Sequence, residues 1–177
     1  TSANDGWVVG ASGLILHTSN GGSTWNNQPN ESGVSLYGID FLSSTTGYAA
    51  GAFGTVLKTT DAGTTWITQI ADTYKDFFNI EFANTTTGWA VGDYGIIYKT
   101  TNGGTSWKRT GGATKADMYA TFFPSTTTGY SVGEEGIVLK TTDGGSTWEN
   151  KDISYYLPLY GLTFINSMIG WVVGDSG

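Results

Sequence analysis

The sequence predicts an all-β fold: a β-propeller built of four-stranded antiparallel blades with a 41-residue repeat. Three observations carry that prediction. A Gly-aromatic pair recurs at Gly6-Trp7, Gly47-Tyr48, Gly88-Trp89, Gly129-Tyr130 and Gly170-Trp171, always 41 residues apart, and a fixed period of this size marks stacked repeat architectures. Each period holds four strand-length apolar runs separated by turn residues. Composition agrees: Gly 27, Pro 3 and only 13% charged residues suit many short strands and tight turns. No long helix-forming stretch of Ala, Leu, Glu and Lys interrupts them.

The four runs are labelled A to D. Run A is Leu36 to Leu42, with counterparts Phe77 to Ala83, Met118 to Pro124 and Leu159 to Ile165; its phenylalanine recurs at Phe41, Phe82, Phe123 and Phe164. Run B opens on the Gly-aromatic pair. Run C is Thr55 to Thr59, matched by Ile96 to Thr100, Ile137 to Thr141 and Leu14 to Thr18. Run D begins at Trp25, Trp66, Trp107 and Trp148. β-Branched and aromatic residues dominate them, as a pleated half-buried surface favours. Runs B and C are joined by Gly-x-x-Gly, as in Gly51-Ala-Phe-Gly54, which predicts a tight hairpin with its glycines at positive φ.

Runs C and D are joined by the most specific motif, [ST]-x-[DN]-x-G-x-x-W. It reads Thr18 to Trp25, Thr59 to Trp66, Thr100 to Trp107 and Thr141 to Trp148, four matches in phase with the period. The side chains of Asn20, Asp61, Asn102 and Asp143 are placed to accept nearby amide hydrogens, as in an Asx-turn. The tryptophans bury apolar area between sheets while their indole N–H groups need an acceptor. A residue repeated on every blade reads as scaffold rather than as a metal or catalytic site.

The motif resembles the Asp-box, or bacterial neuraminidase repeat. The longer string from Gly88 to Trp107 is similar to the repeat of the photosystem II stability and assembly factor family, and the resemblance covers essentially the whole chain. It implies a propeller fold and, because similar repeats occur in many secreted bacterial proteins, an extracellular or periplasmic location. The assembly factors carry an arginine-rich patch, whereas Arg109 stands alone here. Sialidases share the Asp-box but clamp their substrate with three arginines, so a sialidase is rejected. Two-propeller endoglucanases with related repeats use paired aspartates, and no spacing here picks out an acid and a base. Fold resemblance of this kind does not itself fix function.

Other classes are excluded on composition. The net charge is −7, with eight scattered basic residues, so there is no basic patch for nucleic acid. No apolar run reaches the ~18–20 residues of a membrane span, so no membrane insertion is expected, and the first residues lack the charged and apolar regions of a signal peptide. Cysteine is absent, which removes disulfides and thiolate metal sites. The single histidine, His17, takes the place of Lys58, Lys99 and Lys140 and is expected as a surface strand residue. No cofactor, metal or catalytic set is expected.

The runs are ordered BCD, ABCD, ABCD, ABCD, AB. This gives one propeller domain or propeller fragment, 1–177, with a partial blade at 1–35, blades at 36–76, 77–117 and 118–158, and a partial blade at 159–177. Incomplete blades invite strand pairing, so a fragment of a longer propeller or closure between chains is expected over a lone four-bladed ring. The B–C turns and D–A loops share one face and vary between blades. Loop residues on a rigid scaffold carry function, which makes Asp93, Tyr94, Glu134, Glu135, Tyr74 and Tyr155 the candidate ligand-binding residues, suited to sugars or a peptide. Tyr37, Phe78, Tyr119 and Tyr160 are expected in the core. The function expected is a non-enzymatic module for binding or assembly in an exported protein. Its partners would be itself, through the partial blades, or a protein or carbohydrate ligand. A glycoside-hydrolase-type fragment and a subunit of an extracellular polymer are the alternatives.

Overall fold

The computed structural model describes residues 2–69, 71–111, 114–151 and 153–176; Thr1, Ile70, Gly112, Ala113, Asp152 and Gly177 lie outside the described residues. The strands are β1 (Gly6–Val9), β2 (Ile15–Thr18), β3 (Asn26–Asn27), β4 (Leu36–Phe41), β5 (Gly47–Gly51), β6 (Val56–Thr59), β7 (Ile67–Gln69), β8 (Phe77–Phe82) and β9 (Gly88–Gly92). They continue with β10 (Ile97–Thr100), β11 (Lys108–Gly111), β12 (Met118–Phe122), β13 (Gly129–Gly133), β14 (Val138–Thr141), β15 (Glu149–Asn150), β16 (Leu159–Phe164) and β17 (Gly170–Gly174). They form antiparallel meanders in sequence order: β1-β2-β3, β4-β5-β6-β7, β8-β9-β10-β11, β12-β13-β14-β15 and β16-β17. The first strands β4, β8, β12 and β16 pack on one another in succession, so they are the inner strands of a propeller arc. Among the described residues, the first and last sheets remain separate sheets.

The core lies at the boundaries between sheets, where each boundary has its own apolar cluster. Ile15, Leu36, Ala49 and Leu57 fill the first, with Trp7 and Trp66. Tyr48, Val56, Phe77, Phe82 and Trp107 fill the second. Trp89, Ile97, Met118, Phe123 and Leu139 fill the third, and Val132, Val138 and Leu159 the fourth. Buried on both faces, β5, β9 and β13 are sealed throughout, whereas β17 exposes Gly170 to Val173.

Aromatic triads lock these boundaries. The run B aromatic of one blade stacks on the run A phenylalanine of the next: Tyr48 on Phe82 at 3.7 Å, Trp89 on Phe123 at 3.4 Å and Tyr130 on Phe164 at 4.0 Å. That phenylalanine meets its own Asp-box tryptophan edge-on, Phe82 with Trp107 and Phe123 with Trp148, both at 5.8 Å. These are the offset and edge geometries that aromatic quadrupoles favour. The polar tip of the same run B residue crosses to the next blade: Tyr48 Oη donates to the Gly103 carbonyl at 3.1 Å, Trp89 Nε1 to Gly144 at 3.1 Å and Tyr130 Oη to Ser167 at 3.0 Å.

The Asp-box loops are built on a buried threonine. Thr59 Oγ1 accepts Gly63 N at 2.9 Å and donates to Asp61 Oδ1 at 2.9 Å, and Asp61 Oδ1 accepts Thr65 N at 2.8 Å. Asn20, Asn102 and Asp143 make the same bonds with Thr18, Thr100 and Thr141. Hydrogen bonds from Thr147 hold the Asp143 carboxyl well down, at about 2. The Asp-box indoles do not find the acceptor expected of them. The indole N–H groups of Trp66, Trp107 and Trp148 are buried without a protein acceptor, and Trp25 is 41% exposed, since Phe82 and Phe123 supply ring packing and no polar partner.

Candidate functional site

The site is built at the B–C turns. Each is a two-residue turn with the left-handed geometry of type I′, which matches the twist of the strands. Phe53 has φ 57°, ψ 33°, Tyr94 φ 53°, ψ 38° and Glu135 φ 55°, ψ 22°, followed by Gly54, Gly95 and Gly136 at φ 66° to 72°. Thus only the second glycine of Gly-x-x-Gly has positive φ. The first is extended, φ −170° at Gly51 and −179° at Gly92, and is glycine for another reason. A Cβ at Gly92 would overlap the Asp76 carbonyl oxygen, which is held there by Asp93 N at 3.0 Å.

A non-glycine residue in this conformation costs about 1–3 kcal/mol unless its surroundings hold it. Here a carboxylate of the D–A loop does so: Asp76 Oδ1 accepts Phe53 N at 2.9 Å and Asp117 Oδ1 accepts Tyr94 N at 2.8 Å. The next turn answers in kind, with Asp93 Oδ2 accepting Asp76 N at 3.4 Å and Glu134 Oε2 accepting Asp117 N at 3.2 Å. Asp76 and Asp117 therefore bridge consecutive blades.

Of the predicted residues, Asp93 and Glu134 are half-buried in these bridges, and Tyr94 and Glu135 stand at the exposed tips. Burial raises the Asp93 carboxyl above its ordinary value, against the lowering effect of the Asp76 N–H. The Lys75 ammonium lies 3.9 Å from the Tyr94 ring centroid. Tyr74 is 90% exposed and Tyr155 37%; Tyr155 Oη donates to the Asp175 carbonyl. Among the described residues, no ring contact joins Tyr74, Tyr94 or Tyr155 into one surface.

The residues that do form a continuous surface are those expected in the core. Tyr37, Phe78, Tyr119 and Tyr160 each sit at a register shift near the start of an inner strand. Pairing jumps from Leu36↔Gly51 to Gly38↔Ala50, from Phe77↔Gly92 to Asn79↔Val91, and likewise at Tyr119 and Tyr160. A β-bulge leaves the extra residue unpaired and re-aims its side chain. The four rings leave the core and line up side by side, Tyr37–Phe78 at 5.8 Å, Phe78–Tyr119 at 5.7 Å and Tyr119–Tyr160 at 5.4 Å. Tyr37 is 47% and Tyr160 52% exposed. Carboxylates edge this ladder: Tyr119 Oη reaches Glu134 Oε1 at 3.3 Å and Tyr160 Oη reaches Asp175 Oδ2 at 3.4 Å. Burial and Glu134 push the Tyr119 phenol up to about 12. The signal was present in the sequence as an aromatic in every repeat, but the bulge that turns it outward was not.

Further along the inner strands lies a pair of carboxylates that spacing did not single out. Asp40 Oδ2 accepts Phe82 N at 2.8 Å and Glu81 Oε1 accepts Phe123 N at 3.0 Å, each bond crossing to the next blade. Burial pushes Glu81 up to about 7, with Asp40 adding to the rise, and raises Asp40 as well. Glu81 Oε2 is buried and unpartnered. These groups face the neighbouring backbone, so they act as boundary ties. His17 is also not a surface residue: it stacks on Trp7 at 4.3 Å and its Nε2 lies 3.5 Å from Asp5 Oδ1, because Trp7 offers a face where the other blades place lysine.

Residues 29–116 match the family described as "Photosynthesis system II assembly factor YCF48". No curated protein matches the sequence. Among solved structures, "YCF48 bound to D1 peptide" is 16% identical with a TM-score of 0.54, over 98% of this chain and 87% of that one. YCF48 from Cyanidioschyzon merolae is 20% identical with a TM-score of 0.72, over 98% and 64%. The GH74 enzyme of Niastella koreensis is 18% identical with a TM-score of 0.67, over 91% and 30%. The chain thus spans under two thirds of the second protein and under a third of the third. Its sheets, triads and repeated turns make it a β-propeller chain of Asp-box repeats that resemble those of the photosystem II assembly factor family.

Proposed function

We propose that this chain is a non-catalytic binding and assembly module that holds a segment of a protein partner along its inner aromatic ladder. The observation that carries the reading is the run of four bulged, partly exposed rings from Tyr37 to Tyr160. Bulges of this kind cost ladder pairing and are kept where a side chain must be aimed. Aromatic rings supply large contact area at small entropic cost. The likeness to a structure described as bound to a D1 peptide supports a protein partner. The likeness to GH74 propellers supports a glycan-cleaving reading less well, because the two carboxylates with raised pKa, Asp40 and Glu81, are tied to the next blade's backbone. An exported location, suggested by the repeats' resemblance to secreted proteins, belongs to the same proposal.

The test is a panel of immobilised peptides and of glucan oligosaccharides offered to the wild type and to a Phe78→Ser/Tyr119→Ser variant. The reading expects peptide binding that the variant loses while keeping the wild-type far-UV spectrum. Release of reducing sugar from a glucan by the wild type would sink it. A second reading, self-association, is favoured by one observation: β17 leaves Trp171 56% and Val173 64% exposed, on the surface that inner blades seal against a neighbour. Further blades of the same polypeptide would cover it equally well. Light scattering across a hundred-fold range of concentration separates the two, since only self-association makes the mass rise.

A further inference from the structure

We infer that the partner segment is extended and cationic, with alternate lysine or arginine side chains seated between a ladder ring and the carboxylate beside it. The inference rests on the binding reading above and adds the chemistry of the occupant. In three consecutive blades the residue that leads into the turn is an acid, Asp93, Glu134 and Asp175. Two of them sit at hydrogen-bond distance from a ladder hydroxyl, Glu134 from Tyr119 and Asp175 from Tyr160. Ring and carboxylate together form a rung that repeats along the arc.

Three arguments select a cation. First, none of the three is in an ion pair among the described residues, where the pairs are His17 with Asp5 and Lys151 with Glu149, and only Asp93 feels a nearby ammonium, that of Lys75. A net charge of −7 adds a long-range pull on a basic segment. Second, the same face already holds an ammonium on a ring, Lys75 at 3.9 Å from Tyr94. Cations are drawn to aromatic faces by the ring quadrupole, and a nearby carboxylate adds to that attraction. Third, the spacing fits an extended chain. The rings are 5.4 to 5.8 Å apart, within about 1 Å of the ~6.6 Å between alternate residues of a strand. A sugar could stack on the rings and donate hydroxyls to the carboxylates, but it would leave their negative charge uncompensated, which a cation does not.

The experiment uses three labelled decapeptides, alternating alanine with lysine, glutamine or glutamate, and an uncharged glucan oligosaccharide, with binding read by fluorescence anisotropy at low and high salt. The expected result is that the lysine peptide binds at least about tenfold more tightly than the glutamine peptide and loses most of that margin at high salt. The Asp93→Asn/Glu134→Gln/Asp175→Asn variant should erase the margin between the lysine and glutamine peptides. The salt series on the wild type decides the matter even if that variant fails to fold. Equal affinity for the lysine and glutamine peptides, or preference for the oligosaccharide, overturns the cationic assignment. Binding of none of the peptides overturns the ladder reading itself, and the assignment falls with it.

Discussion

Glu81 offers the sharpest test of the blade boundaries. Its carboxylate is buried between blades, with Phe123 N on Oε1 at 3.0 Å and no partner on Oε2. Burial outweighs the lowering effect of that N–H, so ionisation moves from an ordinary 4.5 to about 7. At about 1.4 kcal/mol per pH unit, the charged form costs the fold about 3 kcal/mol. The sign is fixed by which state holds the proton. Between about 4.5 and 7 the folded chain keeps a proton that the unfolded chain has released, so stability falls as pH rises through that window and the full penalty is present above it. Glu81→Gln keeps the acceptor for Phe123 N and removes the charge. Urea unfolding should show the variant more stable than wild type by about 2–3 kcal/mol at pH 8, or roughly 5–10 °C in Tm for a chain of this size, with the two within about 1 kcal/mol at pH 4.5. A wild-type stability that is flat from pH 5 to 8, with no gain in the variant, would refute the buried boundary carboxylate.

Other substitutions probe the remaining structural claims by the same urea measurement. Gly92→Ala should destabilise by roughly 1–3 kcal/mol, although its φ is one any residue adopts, because the new methyl meets the Asp76 carbonyl. Thr100→Val should cost roughly 1–3 kcal/mol by orphaning Gly104 N, now 3.0 Å from Thr100 Oγ1. Phe123→Ala should cost roughly 3–5 kcal/mol, since its ring is held between Trp89 and Trp148, and tryptophan emission should shift to the red. Tyr37→Ala, on the exposed ladder, should cost within about 1 kcal/mol; a loss like that of Phe123 would return the ladder to the core.

The repeat was legible because its signals are local and redundant. The Asp-box shows in sequence since Thr59, Asp61 and Gly63 bond within five residues of one another, and the run B glycines appear in every repeat. What distinguishes blades was harder to see. Tyr37, Phe78, Tyr119 and Tyr160 occupy an apolar run, and period-two alternation gives no sign that a bulge displaces them. Asp40 and Glu81 depend on amides more than 40 residues away, contacts that only the neighbouring blade supplies. Spacing named the variable turns, Asp93, Tyr94, Glu134 and Glu135, but the bulge that turns Tyr119 outward within the same blade is what brings Glu134 to the ladder.

The boundary contacts made by side chains of the inner strands and of the Gly-aromatic strands run in one direction. Tyr48 gives its hydroxyl forward to Gly103, Trp89 its indole N–H forward to Gly144, and Asp40 and Glu81 catch amides of the blade ahead. The repeats that begin at Leu36 and Phe77 therefore each carry one half of a joint at the front and the matching half at the back. A gene segment of one period, wherever it is cut, brings a complete joint with it when duplicated or lost. Propellers of this type can change ring size by whole repeats without devising a new interface, and each copy remains free to alter its outward turn.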